Sequence, residues 1–145
     1  MKIENFSMKF YDDVIRLWRI TGISIGSSDN KEELARMAHQ NPNLFLIGKV
    51  SDAIIGVVMG GFDGRRGYVH HLAVDPNYQK KGFGKLLMNE LIKRFRQEGV
   101  HKVHLFIEKR NNKVVDFYRN LGWEVREDLT VMSHVPDNNV YKIKK

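Results

Sequence analysis

The sequence of 145 residues contains no cysteine. This absence excludes a disulfide framework, a thiolate nucleophile and a cysteine-ligated zinc cluster. No apolar run approaches the length of about 20 residues that a membrane-spanning helix needs, and the stretch Met1–Phe6 lacks the apolar segment of a signal peptide. No His, Asp and Glu residues have metal-ligand spacing, so no metal is predicted. We therefore expect a cytoplasmic protein with no membrane partner.

Acidic residues are scarce in one part of the chain. Residues 79–110 hold nine Lys or Arg and three Asp or Glu, whereas the rest holds 15 basic and 14 acidic residues. A nucleic-acid-binding module typically spreads its positive charge over several elements, and a single-strand binder interleaves it with aromatics. Neither pattern is present, so nucleic acid is the less favoured partner. A cofactor with three phosphates explains the focused charge, and a solvated helix face is the alternative for Lys93, Arg94 and Arg96.

A glycine-spaced basic loop follows the strand that ends at Val74 and the turn at Pro76. Amides at a helix N-terminus lack intrahelical partners and carry partial positive charge, which suits a phosphate. Gly82 and Gly84 bring the backbone close to such a ligand, and the lysines add full charges. The predicted pyrophosphate-binding residues are Gln79, Lys80, Lys81, Gly82, Phe83, Gly84 and Lys85.

Two common phosphate loops do not fit this spacing. A P-loop requires Ser or Thr after its lysine, but Lys85 is followed by Leu86. A dinucleotide-binding loop requires a third glycine and a ribose-binding acid after the next strand, and both are missing.

Composition and periodicity predict one domain over residues 1–145 with a mixed α/β sheet. The order is β-α-α-β-β-β-α-β-α-β-β. Predicted strands cover residues 1–6, 44–50, 53–61, 67–74, 102–107, 123–125, 129–133 and 140–143. Predicted helices cover 9–20, a second helix that runs to about residue 40 with Asp29 or Asn30 as its cap, a third whose periodic residues run from Phe83 to Phe95, and a last one from Asn111 or Asn112 to Leu121. Gly99 and Gly122 are the expected terminators of the last two helices. In the third helix, the predicted apolar face is Phe83, Leu86, Leu87, Leu91, Ile92 and Phe95.

The run Gln79-x-x-Gly82-x-Gly84, after a strand ending Leu-x-Val-x-Pro, resembles the acyl-CoA loop of the GNAT superfamily (GCN5-related N-acetyltransferases). A second run, beginning at Asn111 and continuing through Tyr118 to Trp123, is similar to the family's Asn-x-x-Ala-x-x-x-Tyr-x-x-x-Gly-Phe ending. Val114 and Trp123 depart from that pattern but keep its apolar character. The order of elements is also that of the GNAT fold, so the resemblance covers essentially the whole chain.

The resemblance implies an N-acetyltransferase that moves an acetyl group from acetyl-CoA to a primary amine by direct attack. It places Leu72, Ala73 and Val74 along the acetyl-pantetheine arm. It places Asn111 near the pantetheine or as the cap of the last helix, and makes Tyr118 the acid that protonates the leaving thiolate. Tyr118 also has helical spacing with apolar neighbours, so a core aromatic is the alternative.

The general base is predicted to be His70. Its place, two residues before Leu-x-Val, is similar to that of an active-site histidine in aralkylamine acetyltransferases of this superfamily, and an imidazole accepts a proton near neutral pH. Strand alternation predicts that His70 shares a face with Leu72 and Val74, and that His71 faces the other way. A half-buried strand histidine is the alternative, and Glu108 or a water could serve instead. His101 and His104 are expected at the surface.

The acceptor stays open between a small amine, an amino acid and a protein amino group. Residues 20–29 and 129–139, which shape the acceptor cleft in this fold, carry no clear carboxylate cage. A catalytically silent acyl-CoA-binding or interaction domain of the same fold is the main alternative function. The chain is expected to act as a monomer or homodimer.

Overall fold

The computed structural model describes residues 1–141 and divides the chain into two compact units. The first unit is Met1–Leu105, and the second begins at Phe106. The single domain expected over residues 1–145 remains a prediction. Within the described residues, no helix is long and apolar enough to span a membrane.

The first unit is built on a five-stranded sheet with the order β1-β2-β3-β4-β5. Its neighbours are antiparallel except β4 and β5, which run parallel. The mixed α/β class predicted from the sequence is therefore confirmed. The strands are β1 Lys2–Asn5, β2 Phe45–Val50, β3 Ala53–Phe62, β4 Gly67–Val74 and β5 Val103–Leu105.

Helices α1 (Tyr11–Ile20) and α2 (Lys31–Gln40) contribute to the core on one face of this sheet. A 3-10 turn at Met8–Phe10 precedes α1, and another at Ser27–Asp29 precedes α2. Asn30 caps α2, because its side-chain oxygen accepts the Glu33 amide at 2.9 Å. The core on this face includes Trp18, Leu34, Val57, Met59 and Ala73.

Helix α3 (Phe83–Gln97) packs on the opposite face, which glycines open to it. A Cβ at Gly56 would lie 2.7 Å from Leu87, and one at Gly60 would lie 2.8 Å from Leu91. The buried side chains of α3 are Leu87, Met88, Leu91 and Phe95. The prediction that Leu86 belongs to the apolar face of α3 is therefore wrong, because this residue is 50% exposed.

The second unit contains a 3-10 helix, Lys109–Val114, that leads into α4, Val115–Asn120. Gly122 follows α4 with a positive φ of 93°, as expected for a terminating glycine. The strands predicted at 123–125 and 129–133 are not formed. Val131 and Met132 are 65% and 90% exposed, so the apolar side chains of this segment are not buried as those of a strand would be. A strand also needs a neighbouring strand to pair with its backbone N–H and C=O groups. Val140 lies in a turn, and the rest of the strand predicted at 140–143 falls largely outside the described residues.

Candidate functional site

The fourth strand is interrupted by a bulge at the predicted site. Val57 pairs with Ala73 and Met59 with His70, so two residues of β4 lie opposite one of β3. His71 has a φ of +53°, a left-handed conformation that is uncommon for a side-chain-bearing residue.

This bulge breaks the predicted alternation. Met59 and Ala73 belong to the core beneath α1 and α2, and His70 is the partner of Met59, so His70 faces that side. His71 also lies on that side, because its ring contacts Trp18 with centroids 4.8 Å apart. Val74 lies on the other side, next to Gly56. The sequence-based statements that His70 shares a face with Val74 and that His71 points away are therefore wrong.

The two histidines lie beside a buried carboxylate that spacing along the chain gave no signal for. Asp29 is 7% exposed, and its Oδ1 lies 3.4 Å from Nε2 of His71. Burial works to raise the pKa of Asp29, but hydrogen bonds from His71 and from the Gly26 amide outweigh it and hold that pKa below its usual value. Burial lowers the pKa of His70, and the neighbouring His71 lowers it further.

The turn after β4 is fixed by local hydrogen bonds. The Asp75 amide donates to the Ile55 carbonyl at 2.7 Å, and the Asp75 side chain accepts the Asn77 amide at 2.9 Å. The Gln79 side chain donates to the Val74 carbonyl at 2.9 Å. The side chain of Gln79, the first residue of the predicted pyrophosphate-binding loop, therefore ties the start of that loop to the end of β4.

The loop then enters α3 through two left-handed residues. Lys80 has a φ of +61°, and Gly82, the N-cap of α3, has a φ of +85°. A Cβ at Gly82 would have no atom within 4 Å, so the space around it is open. The amides of Phe83, Gly84 and Lys85 open the helix and have no earlier carbonyl in it to bond with.

Positive charge surrounds this helix start. Lys80, Lys81 and Lys85 are exposed, and none of them has an ion-pair partner in the described part of the chain. The ammonium of Lys81 lies 5.6 Å from the centre of the Tyr78 ring. Farther along α3, Arg94 is paired with Glu90 at 3.2 Å, so that part of the basic run is partly neutralised. The loop therefore carries three exposed positive charges next to the first amides of α3.

The remaining predicted site residues belong to the second unit. Asn111 is exposed within the 3-10 helix and its side chain caps neither helix, so the predicted capping role is wrong. The predicted helix start at Asn111 or Asn112 is wrong as well, because the 3-10 helix begins at Lys109 and α4 at Val115. The Tyr118 ring contacts Phe117 and Trp123 edge-on, with centroids 5.0 and 5.9 Å away. Burial raises the pKa of Tyr118 to about 12, so its hydroxyl stays protonated at neutral pH.

The alternative bases and ligands occupy less suitable places. Glu108 is exposed, lies beyond the end of β5 and forms an ion pair with Arg110. His101 is exposed as expected, whereas His104 is half-buried, with its ring 5.9 Å from that of Tyr68. Among residues 1–141, no group of three His, Cys, Asp or Glu residues could hold a metal ion.

Comparison with known proteins defines the class of this chain. An acetyltransferase of Yersinia enterocolitica is 32% identical over 129 residues, which cover 89% of this chain and 92% of the relative. The sequence profile of the Acetyltransferase (GNAT) family matches residues 9–123. The chain therefore belongs to the Acetyltransferase (GNAT) family, and the enzyme class predicted from the sequence, an N-acetyltransferase, is confirmed.

Solved structures agree on the fold. Ard1 from Thermoplasma volcanium matches with a TM-score of 0.78 at 20% identity, covering 86% of this chain and 83% of that one. The PaiA N-acetyltransferase of Thermoplasma acidophilum, solved in complex with coenzyme A, matches with a TM-score of 0.74 at 22% identity, covering 88% and 92%. At these identities the likeness concerns the fold.

Proposed function

We propose that this enzyme transfers an acetyl group from acetyl-CoA to a primary amine of a small molecule or a protein. The observation that carries the proposal is the start of α3, where the left-handed Gly82 leaves the first amides of the helix open. Three lysines that have no ion-pair partner among residues 1–141 lie beside these amides. Backbone donors, the helix dipole and ammonium groups together favour a pyrophosphate. The similar fold of the Thermoplasma acidophilum enzyme in complex with coenzyme A supports this choice of ligand.

Leu72, Ala73 and Val74 connect this phosphate seat with the bulge of β4. A bulge leaves backbone groups outside the regular ladder, and such groups can bind an amide-containing chain. We assign the acetyl-pantetheine arm to this stretch, with a backbone N–H facing the thioester oxygen as charge develops on it. Asn111 is assigned to the same arm by family resemblance.

His70 is the proposed general base. Burial and the nearby His71 lower its pKa, so the imidazole is neutral and able to accept a proton at pH 7. Glu108 is less suitable because it is exposed beyond the end of β5 and its carboxylate is engaged with Arg110. A water relayed to His70 is compatible with this role.

Tyr118 is the proposed acid for the leaving group. A phenol that stays protonated to about pH 12 can keep donating a hydrogen bond over the whole working pH range. It is a weaker acid than a free tyrosine, so transfer to sulfur requires that the proton move as the thiolate charge develops.

The step balances without a cofactor beyond the acetyl donor. The amine lone pair attacks the thioester carbonyl carbon, and the carbon–sulfur bond breaks with its electron pair going to sulfur. The acceptor nitrogen loses one proton to His70, and sulfur gains one from Tyr118. Exchange with water then returns both side chains to their starting states.

Two measurements test this proposal. Calorimetry should show 1:1 binding of acetyl-CoA, and a panel of amines should then be screened for release of free coenzyme A thiol. A thiol reagent can be used directly, because the protein has no cysteine to react with it. Binding without acetylation of any amine would indicate the silent acyl-CoA-binding alternative. Absence of acetyl-CoA binding by the folded protein would contradict the proposal.

A further inference from the structure

Asp29 is a buried carboxylate that the proposed reaction does not use. It closes the 3-10 turn before α2, where its Oδ2 accepts the Gly26 amide at 2.9 Å and its own amide donates to the Gly26 carbonyl at 3.1 Å. Its carbonyl accepts the Tyr11 hydroxyl at 3.1 Å. Gly26 and Tyr11 thus fix the turn and the position of the Asp29 carboxylate, whose Oδ1 faces His71. A buried carboxylate is costly unless it is paired, which points to a role for that contact.

His71 is held at three points. Its backbone forms the left-handed residue of the β4 bulge, its Nε2 lies 3.4 Å from Asp29, and its ring meets the ring of Trp18 edge-on. Trp18 is fully buried, and its indole N–H has no hydrogen-bond partner within residues 1–141. A strained backbone residue persists where its surroundings fix it, and such residues concentrate at active sites.

The contact brings two charges to His70. His71 is the chain neighbour of His70 and lies on the same side of the sheet. Asp29, from the segment between α1 and α2, contacts His71 on that side. A positive charge on His71 opposes a proton on His70, whereas the Asp29 carboxylate favours one. The other ionisable groups nearby are Tyr68, with its ring 6.5 Å away, and His104 beyond it on β5. On α1, Arg16 is engaged with the Ile54 carbonyl and with Asp75.

We propose that Asp29 and His71 form a positioning dyad. The carboxylate accepts the Nε2 hydrogen of His71, which fixes the imidazole and fastens the segment between α1 and α2 to the bulge of β4. The fixed pair then holds one group that opposes and one group that favours a proton on His70 at constant positions, while the burial of His70 favours its neutral form. Only the role of His70 as base rests on the proposed function; the dyad itself does not.

The test is a histidine titration followed by NMR, which requires no substrate. The protein is labelled on its histidine rings and compared with Asp29→Asn, with His71→Asn and with the control Asp52→Asn, which removes an exposed charge in the turn between β2 and β3. Asparagine is suitable at 71 because it tolerates a positive φ. The His70 pKa should fall in Asp29→Asn, rise in His71→Asn and stay unchanged in the control. Where the His71 ring is neutral, its nitrogen shifts should show the proton on Nε2 in the parent and lose that preference in Asp29→Asn.

Kinetics with acetyl-CoA and an accepted amine add a second readout. Asp29→Asn should lower kcat/KM for the amine on the order of tenfold, because the base is less well placed, while acetyl-CoA affinity stays at the parent's value. A His70 pKa that moves in the same direction in both variants, or in neither, would overturn the dyad. Opposite shifts in a protein that acetylates no amine would support the dyad and reject the proposed function, so the two failures are distinguishable.

Discussion

Replacing Gly82 with alanine separates a phosphate-binding loop from a merely flexible one. Gly82 has a φ of +85° and open space where a Cβ would lie, so an alanine there meets no clash. It lowers the free energy of unfolding only through its left-handed backbone conformation. The left-handed conformation costs an L residue about 1–2 kcal/mol, and the stiffer unfolded chain offsets about 0.4–1 kcal/mol. We expect a net loss of about 1 kcal/mol in the free energy of unfolding, or about 3–5 °C in Tm.

Gly99, just beyond the other end of α3, provides a matched control. Its φ is +78°, and a Cβ there would also have no atom within 4 Å. Gly99→Ala should therefore lose the same stability as Gly82→Ala. Only Gly82→Ala should weaken acetyl-CoA binding, by about tenfold or more (about 1.4 kcal/mol), because its methyl group occupies the proposed pyrophosphate space.

Thermal unfolding and calorimetry with acetyl-CoA give both quantities for each variant. Equal stability losses with unchanged acetyl-CoA affinity in Gly82→Ala would refute the assignment of the phosphate seat. A much larger stability loss in Gly82→Ala than in Gly99→Ala would refute the argument from open space.

Three further outcomes follow from the side chains of the site. Tyr118→Phe keeps the ring contacts with Phe117 and Trp123, so the free energy of unfolding should change by about 1 kcal/mol or less. Its kcat should fall on the order of 10²-fold, because the proposed proton donor is lost. If the variant keeps the parent's kcat under conditions where chemistry limits turnover, Tyr118 is a core residue and not the acid. His70→Ala should lower kcat/KM most below the pKa of the amine and leave acetyl-CoA affinity intact; identical pH profiles would assign the base elsewhere. Because the pKa of His70 is lowered in the fold, its contribution to stability should be complete above its unfolded pKa, about 6.5, and decline as the pH falls below it. Chemical unfolding of His70→Gln should show a weaker decline over that window, and an equal decline would contradict a half-buried histidine that the fold keeps neutral.

Regular elements of the first unit were predictable because each depends on its own periodicity. The strand 67–74 matches β4 at both ends, and Asn30 caps α2 as its position before the helix indicates. The buried face of α3 was predicted less well. Leu86 has the right residue type, but the glycines of β3 and β4 decide which side of the helix lies against the sheet.

The bulge and the dyad were beyond sequence reasoning for a different physical reason. The φ of His71 is set by how β4 pairs with β3, and alternation along β4 alone assumes that the pairing is regular. Asp29 and His71 are 42 residues apart and meet only after the sheet and helices have packed. The strands expected after Gly122 show the opposite error, since an alternating pattern cannot supply the neighbouring strand that a ladder requires.

The most direct test of the central claim is an NMR titration of the backbone amides with coenzyme A. If the start of α3 holds the pyrophosphate, the largest saturable shifts should fall on Gly82, Phe83, Gly84 and Lys85. Pantetheine, which lacks the phosphates, should leave those four amides almost unmoved while still shifting residues of β4. Saturable coenzyme A binding that leaves the four amides in place, or shifts them no more than exposed residues elsewhere, would contradict the account.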